Sequence, residues 1–198
     1  MDYDIKKPEE IIHNEWRQLS DAVKDARHDY HLFTLSTVKD EHPELRTVVL
    51  RQSEEKEKII SFHTDKRSPK YYHLLKNNNI SALFYDSSRR IQLRIKGTAS
   101  DEKNKSILKK LWEKMNKDSK QCYQGEIAPS HPLGEGVLVN EIAPNDQYID
   151  TALLGFENFT RIVISISEIE ILMLHHHGHR RLKCNIRQRI PSYIWIAS

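Results

Sequence analysis

Apolar positions change spacing several times along this chain, and each change marks an expected element. Between Pro8 and Asp29, Ile11, Ile12, Trp16, Leu19, Val23 and Ala26 recur at helical intervals, with Pro8 suited to a first turn. That spacing predicts an amphipathic helix over 8–29. Runs rich in β-branched and aromatic residues predict strands at 31–37, 45–51, 58–64 and 80–85. Between the last two, Ser68 as N-cap and Pro69 in the first turn predict a short helix that stops at Asn77–Asn79. From Arg89 to Ala99 the alternation is strict: Ile91, Leu93 and Ile95 on one face, Arg90, Gln92, Arg94 and Lys96 on the other. The polar face reads either as solvated or, with the amide of Gln92 in register, as a wet cavity or interface. Ser100 is expected to cap the next helix, with Asp101 and Glu102 in its first turn. Its apolar stripe is Ile107, Leu108, Leu111, Trp112 and Met115, a pattern that reads as core. Residues 122–136 read as loop and 149–157 as weakly helical. Strands are expected at 159–165, 168–174 and 179–187, and the apolar tail IPSYIWIAS is expected to pack.

Hairpin-length links join most of these strands, and helices do not alternate with them as in βαβ units. The expected class is therefore mainly β with flanking helices, α+β, built on an antiparallel sheet or barrel. A chain of 198 residues, 38% hydrophobic and 30% charged, fits one globular domain, 1–198, with an N-terminal helix. Its 31 basic and 28 acidic residues balance to +3, too little to imply nucleic acid. No aromatic residues interleave with the basic patch, which also argues against that partner. No apolar run approaches the length of a membrane span. The start, MDYDIKKPEE, lacks an apolar signal core, so export is not expected. Cys122 and Cys184 form no metal or redox spacing, and a reducing, cytoplasmic compartment fits them.

Charge changes the picture most at Arg46–Lys70. Lys66, Arg67 and Lys70 crowd the start of the expected short helix, which already carries the positive end of the peptide dipoles, and only Asp65 offsets them. A solvated, screened loop would tolerate this arrangement. A bound anion, most simply a phosphate, would turn it into an attraction. Arg46 and Arg51, five apart on one expected strand, point to opposite faces. The cluster His175-His176-His177-Gly178-His179 matches no standard zinc spacing and reads as a polar hairpin turn, so no metal is expected. The chain has no HExxH, P-loop, GxGxxG or GxSxG motif.

Three runs taken in order, RTVVLR (46–51), FHTDKRSPK (62–70) and RIQLRIKG (90–97), resemble the pyridoxamine 5′-phosphate oxidase-like, FMN-binding split-barrel family. The Trp112 helix, the HPLGEG loop, Glu157–Phe159, Ile169–Leu172 and His179–Cys184 extend the likeness to a poorly characterised FMN-binding branch. The resemblance implies a six-stranded antiparallel Greek-key split barrel. It also implies a homodimer with FMN at the subunit interface. Arg46, Ser68 and Lys70 would face the FMN phosphate. Thr47, Val48 and Val49 would line the flavin. His63 and Thr64 would touch the cofactor, Gln92 would hydrogen-bond near the ring, and Arg181 or Arg180 would approach it.

The chain departs from the oxidase in four places. Pro69 stands where the oxidase has Arg, with Arg67 as a substitute from the other side. Arg51 replaces a substrate-facing Lys. No C-terminal Trp is evident near Leu172, and His179-Arg180-Arg181 replaces an Arg-x-His pair. The expected function is an FMN-dependent oxidoreductase acting on a small molecule, with flavin binding better supported than pyridoxamine-phosphate oxidation. A non-catalytic flavin sensor and a haem-binding split barrel, the latter from the histidine cluster, are the alternatives.

Overall fold

The computed structural model describes residues 7–133, 153–188 and 190–197. The parts of the expected 122–136 loop and 149–157 helix that fall at 134–152 lie outside them. Helix α1 (Pro8–Lys24) precedes strands β1 (Leu32–Lys39), β2 (His42–Val49), β3 (Gln52–Glu54) and β4 (Ile59–Asp65). Helix α2 (Pro69–Lys76), β5 (Asn79–Asp86), β6 (Ile91–Asp101), α3 (Lys105–Lys114) and α4 (Lys117–Gln121) follow. The remaining strands are β7 (Phe159–Met173), β8 (Arg180–Asn185) and β9 (Ser192–Ile196). All strand pairs are antiparallel, in the order β2-β1-β5-β6-β7-β4-β3, with β8 and β9 continuing from β7. The described residues thus build a nine-stranded sheet rather than six strands, because the edge strand β3 and the C-terminal β8 and β9 add to it. It curls without closing.

The inner face carries the core. Phe33, Leu35, Val48, Ile60, Phe62, Phe84, Leu93, Ile95, Ile162, Ile164 and Ile171 alternate inward, and Ile11, Ile12, Trp16, Leu19 and Ala22 of α1 join the same cluster. Helix α1 stops at Lys24, short of the expected Asp29, so Ala26 is exposed and Ala22 takes the buried position instead. A buried ion network pins α1 to the β5–β6 turn. Arg89 bonds both Glu15 oxygens and also Asp86, and the Tyr30 hydroxyl donates to Glu15 at 2.8 Å. Burial, reinforced by Glu15, pushes the Tyr30 hydroxyl far above its ordinary value.

Two expected boundaries move. Asp101 and Glu102 do not open a helix: β6 runs on to Asp101, paired with Ile162 of β7. Helix α3 is capped by Asn104, whose side chain accepts from the Ser106 and Ile107 N–H groups. The expected strands 159–165 and 168–174 are one strand, β7, with a register shift opposite Lys96/Gly97 where it crosses β6. A Cβ at Gly97 would stand 2.3 Å from the Ser165 carbonyl oxygen, so only glycine admits that approach. A second cluster, Leu108, Trp112, Tyr123 and Phe159, seats α3 against β7.

Candidate functional site

The end of β4, the start of α2 and the inner face of β2 converge at one end of the core. Thr64 follows Phe62 on the inward face of β4 and is buried. Ser68 stands at the N-cap of α2, yet its hydroxyl does not cap the helix; it donates to the Asp65 carbonyl at 2.6 Å and lies 3.2 Å from Thr64 Oγ1. Lys70 reaches Thr64 Oγ1 at 3.4 Å. Arg46 crosses from β2, and its guanidinium donates to Thr37 Oγ1 at 2.6 Å and to the Glu44 carbonyl at 2.7 Å.

Burial lowers the pKa of both Arg46 and Lys70, and Arg46 depresses Lys70 further. Among the described residues neither has a carboxylate within 4.0 Å. Two half-buried cations that repel each other and lack a paired acid form a site that favours an anion. The hydroxyls of Thr64 and Ser68 beside them add neutral hydrogen-bonding groups of the kind a phosphate uses.

The other cations of this stretch have different work. Arg67 is bonded to both Asp65 oxygens, and donates to the Gly125 carbonyl at 2.6 Å. It staples the approach to α2 onto the 123–126 segment and is not a free replacement for the oxidase's Arg. Lys66 Nζ donates to the Glu157 carbonyl. Arg51 is not on the strand of Arg46, as the sequence led us to expect. Strand β2 ends at Val49, after which the Leu50 N–H bonds His31 and the Arg51 N–H bonds Ser61 on β4. The chain switches partners there, so the five-residue spacing loses its meaning.

The remaining candidates fall elsewhere. Val48 packs in the core against Phe33. Thr47, Val49, Gln92 and Arg181 lie on the outer sheet face, where Leu32, Leu45, Leu83 and Tyr85 are also exposed. Gln92 sits between Tyr85 and Leu172, with Arg181 next across β8, where Glu170 accepts from Arg181 at 2.6 Å. His63 is on the outer face of β4, edge-on to Phe159, and burial with help from Arg51 and Arg161 holds its pKa at about 4. His63 and Gln92 are opposite Arg161 and Leu172 of β7, eleven positions apart along that strand. That is roughly 36 Å measured along the strand at its usual rise.

Thr37, which accepts from Arg46, and His73, which bonds Thr37 in turn, escaped the sequence reading. Thr37 closes an ordinary strand pattern and His73 sits inside a short helix, so only the register that brings β1 beside β2 and α2 reveals them. The histidine cluster forms the turn between β7 and β8, as read, with His176 Nε2 at 2.9 Å from Arg90. Among the described residues no group of His, Cys, Asp or Glu is placed to hold a metal.

Known structures share this architecture. A pyridoxamine 5′-phosphate oxidase-related, FMN-binding protein from Nostoc punctiforme matches with a TM-score of 0.75 at 16% identity, covering 98% of this chain and 99% of that one. PhzG from Burkholderia lata, solved with tetrahydrophenazine-1-carboxylic acid, matches with a TM-score of 0.69 at 17% identity, covering 98% and 95%. A Clostridium acetobutylicum protein related to general stress protein 26 matches with a TM-score of 0.52 at 14% identity, covering 89% and 95%. At these identities the likeness is one of fold. No curated protein matches the sequence. The family model described as pyridoxamine 5′-phosphate oxidase, FMN-binding domain, matches α1 through β6, the span that holds every candidate above except Arg181. The matched segment is residues 13–101, and the likeness to the FMN-binding domain family of pyridoxamine 5′-phosphate oxidase rests on it.

Proposed function

We propose that this protein is an FMN-dependent oxidoreductase whose flavin site is completed by a second copy of the chain. The observation that carries the reading is the pair Arg46 and Lys70, half-buried and without an acid partner among the described residues, beside Thr64 and Ser68. Arg46 and Lys70 would hold the FMN phosphate, Arg46 as a two-pronged donor and Lys70 as a point charge. Thr64 and Ser68 would complete the cradle. When bound, the flavin supplies hydride or electron transfer, and the protein supplies orientation and a shaped, dry surface.

The separation of His63 from Gln92 supports the second copy. One flavin ring cannot touch both in a single chain, whereas a partner presenting its outer sheet face brings a second Gln92 and a second Arg181 toward the first chain's cradle. The exposed Leu32, Leu83 and Tyr85 on that face are the kind of patch such a contact covers. A cytoplasmic setting belongs to the same reading, supported by Cys122 and Cys184 both standing as free thiols.

The test is a titration of the purified protein with FMN, followed by the flavin's visible spectrum and fluorescence. We expect stoichiometric binding, one FMN per chain, with a shifted and structured visible band. A folded protein that leaves the FMN spectrum unchanged overturns the reading. Faster turnover of bound than of free flavin with a reductant and oxygen or a quinone supports the oxidoreductase part; equal rates overturn that part alone.

A further inference from the structure

A cavity of about 380 Å³ lies between the β1–β2 turn, α2 and the 128–132 segment. Val38, Pro69, Tyr72, Pro129 and Pro132 give it apolar walls, and Tyr72 is 53% exposed. Lys39 and Lys76 stand at its edge, exposed, and neither has a carboxylate within ion-pair distance among the described residues. Asp40 is the acid among the described lining residues, and the third cation, Arg67, is already neutralised by Asp65. The volume falls within the range of small-molecule sites.

The histidine in this wall has its proton placed by its neighbours. The Arg46 guanidinium only donates, so Thr37 Oγ1 accepts from it at 2.6 Å. Thr37 is fully buried, and its own hydroxyl proton has His73 Nδ1, at 3.1 Å, as its acceptor. With Nδ1 accepting from Thr37, the neutral ring's N–H is assigned to Nε2, away from Thr37. Burial and the nearby Arg46 and Lys39 hold His73 in that neutral form, against Glu44 and Asp40. Lys76, Arg67 and His131 line the same cavity.

We propose that this cavity is a second ligand site, separate from the phosphate cradle, for a small organic acid with a flat apolar body. Lys39 and Lys76 attract the carboxylate, His73 Nε2–H is a fixed donor, and Tyr72 with the prolines receives the ring. A neutral molecule of the same shape meets the same walls without the charge attraction. The cavity adjoins the cradle, because His73 bonds the Thr37 that holds Arg46, so benzoate and FMN are titrated separately.

The probe is benzoate, with benzamide as its neutral isostere, titrated into the FMN-saturated and the flavin-free protein by calorimetry and by histidine side-chain NMR. We expect benzoate to bind both forms and to move the His73 Nε2–H resonance, and benzamide to bind at least about fivefold more weakly. Lys39→Ala with Lys76→Ala, both on exposed residues, should weaken benzoate about fivefold while FMN affinity stays unchanged. Absence of benzoate binding up to millimolar concentration, equal binding of benzamide, or full binding to the double variant overturns the proposal. Failure of FMN to bind, with benzoate binding intact, overturns the flavin reading and leaves this one standing.

Discussion

Arg46 and Lys70 sit where burial disfavours their charges, and a bound dianion reverses that balance. Hydrogen bonds to charged groups contribute roughly 1.5–3 kcal/mol each, so Arg46→Ala and Lys70→Met should each weaken FMN about ten- to a hundredfold. A fluorescence titration at fixed salt checks this, and unchanged affinity in both variants would remove the phosphate cradle. His63 gives a different test. Its pKa of about 4 lies below the ordinary 6.5, so the unfolded chain takes up a proton over that interval while the folded one does not. Its contribution to stability is full above pH 6.5 and declines as pH falls toward 4. By linkage the loss between pH 7 and pH 5 is at most about 2 kcal/mol. Replacing His63 by Phe should flatten that slope in urea melts at the two pH values; an equally steep slope in the variant shows the titrating group lies elsewhere.

Two elements depend on single residues. Helix α1 is tied to the sheet by Glu15, 2% exposed, which serves Arg89 and Tyr30 together. Glu15→Ala leaves a buried guanidinium with only Asp86, and a loss of roughly 3–5 kcal/mol is expected. The midpoint of chemical denaturation measures it, and a loss under 1 kcal/mol would mean that solvent replaces the carboxylate. The β6–β7 crossing depends on Gly97 in the same way. A methyl there meets backbone rather than a movable side chain, so Gly97→Ala should cost about 1–3 kcal/mol as the bulge is forced apart. Thermal melts that match the parent protein would show that the register shift yields freely.

At the scale of the molecule, the proposed second copy would dock on the outer sheet face. Leu83 is 38% and Tyr85 47% exposed, next to Gln92, on a surface that a monomer has little reason to leave apolar. Leu83→Asp with Tyr85→Asp should give a folded monomer by light scattering and lose FMN with it, since the ring would lack the partner's face. A variant that stays dimeric and keeps FMN would move the interface off this face. No described helix is long and apolar enough to cross a membrane.

Alternation and helical spacing were enough to find most elements, because apolar side chains must all reach one core and their periods are local properties of the backbone. Ile91, Leu93 and Ile95 could hardly point anywhere but inward, and the run from Arg46 to Lys70 carried a charge conflict that local chemistry alone could read. Arg46 and Lys70 became candidates for that reason, whereas Thr64 and Ser68 entered only with the ordered motifs that carry the family resemblance. What the sequence could not decide was anything set by register between distant strands. Pairing with β7 kept Asp101 in a strand against its helix-starting signal, and a crossing at Gly97 joined two expected strands into one. A change of partner at Leu50 separated Arg51 from Arg46. The same long-range pairing brought Thr37 to Arg46 and His73 to Thr37, and set Gln92 far from His63. Those distances exist only once the sheet is assembled, since the free energy that selects a register belongs to contacts between residues far apart in the chain.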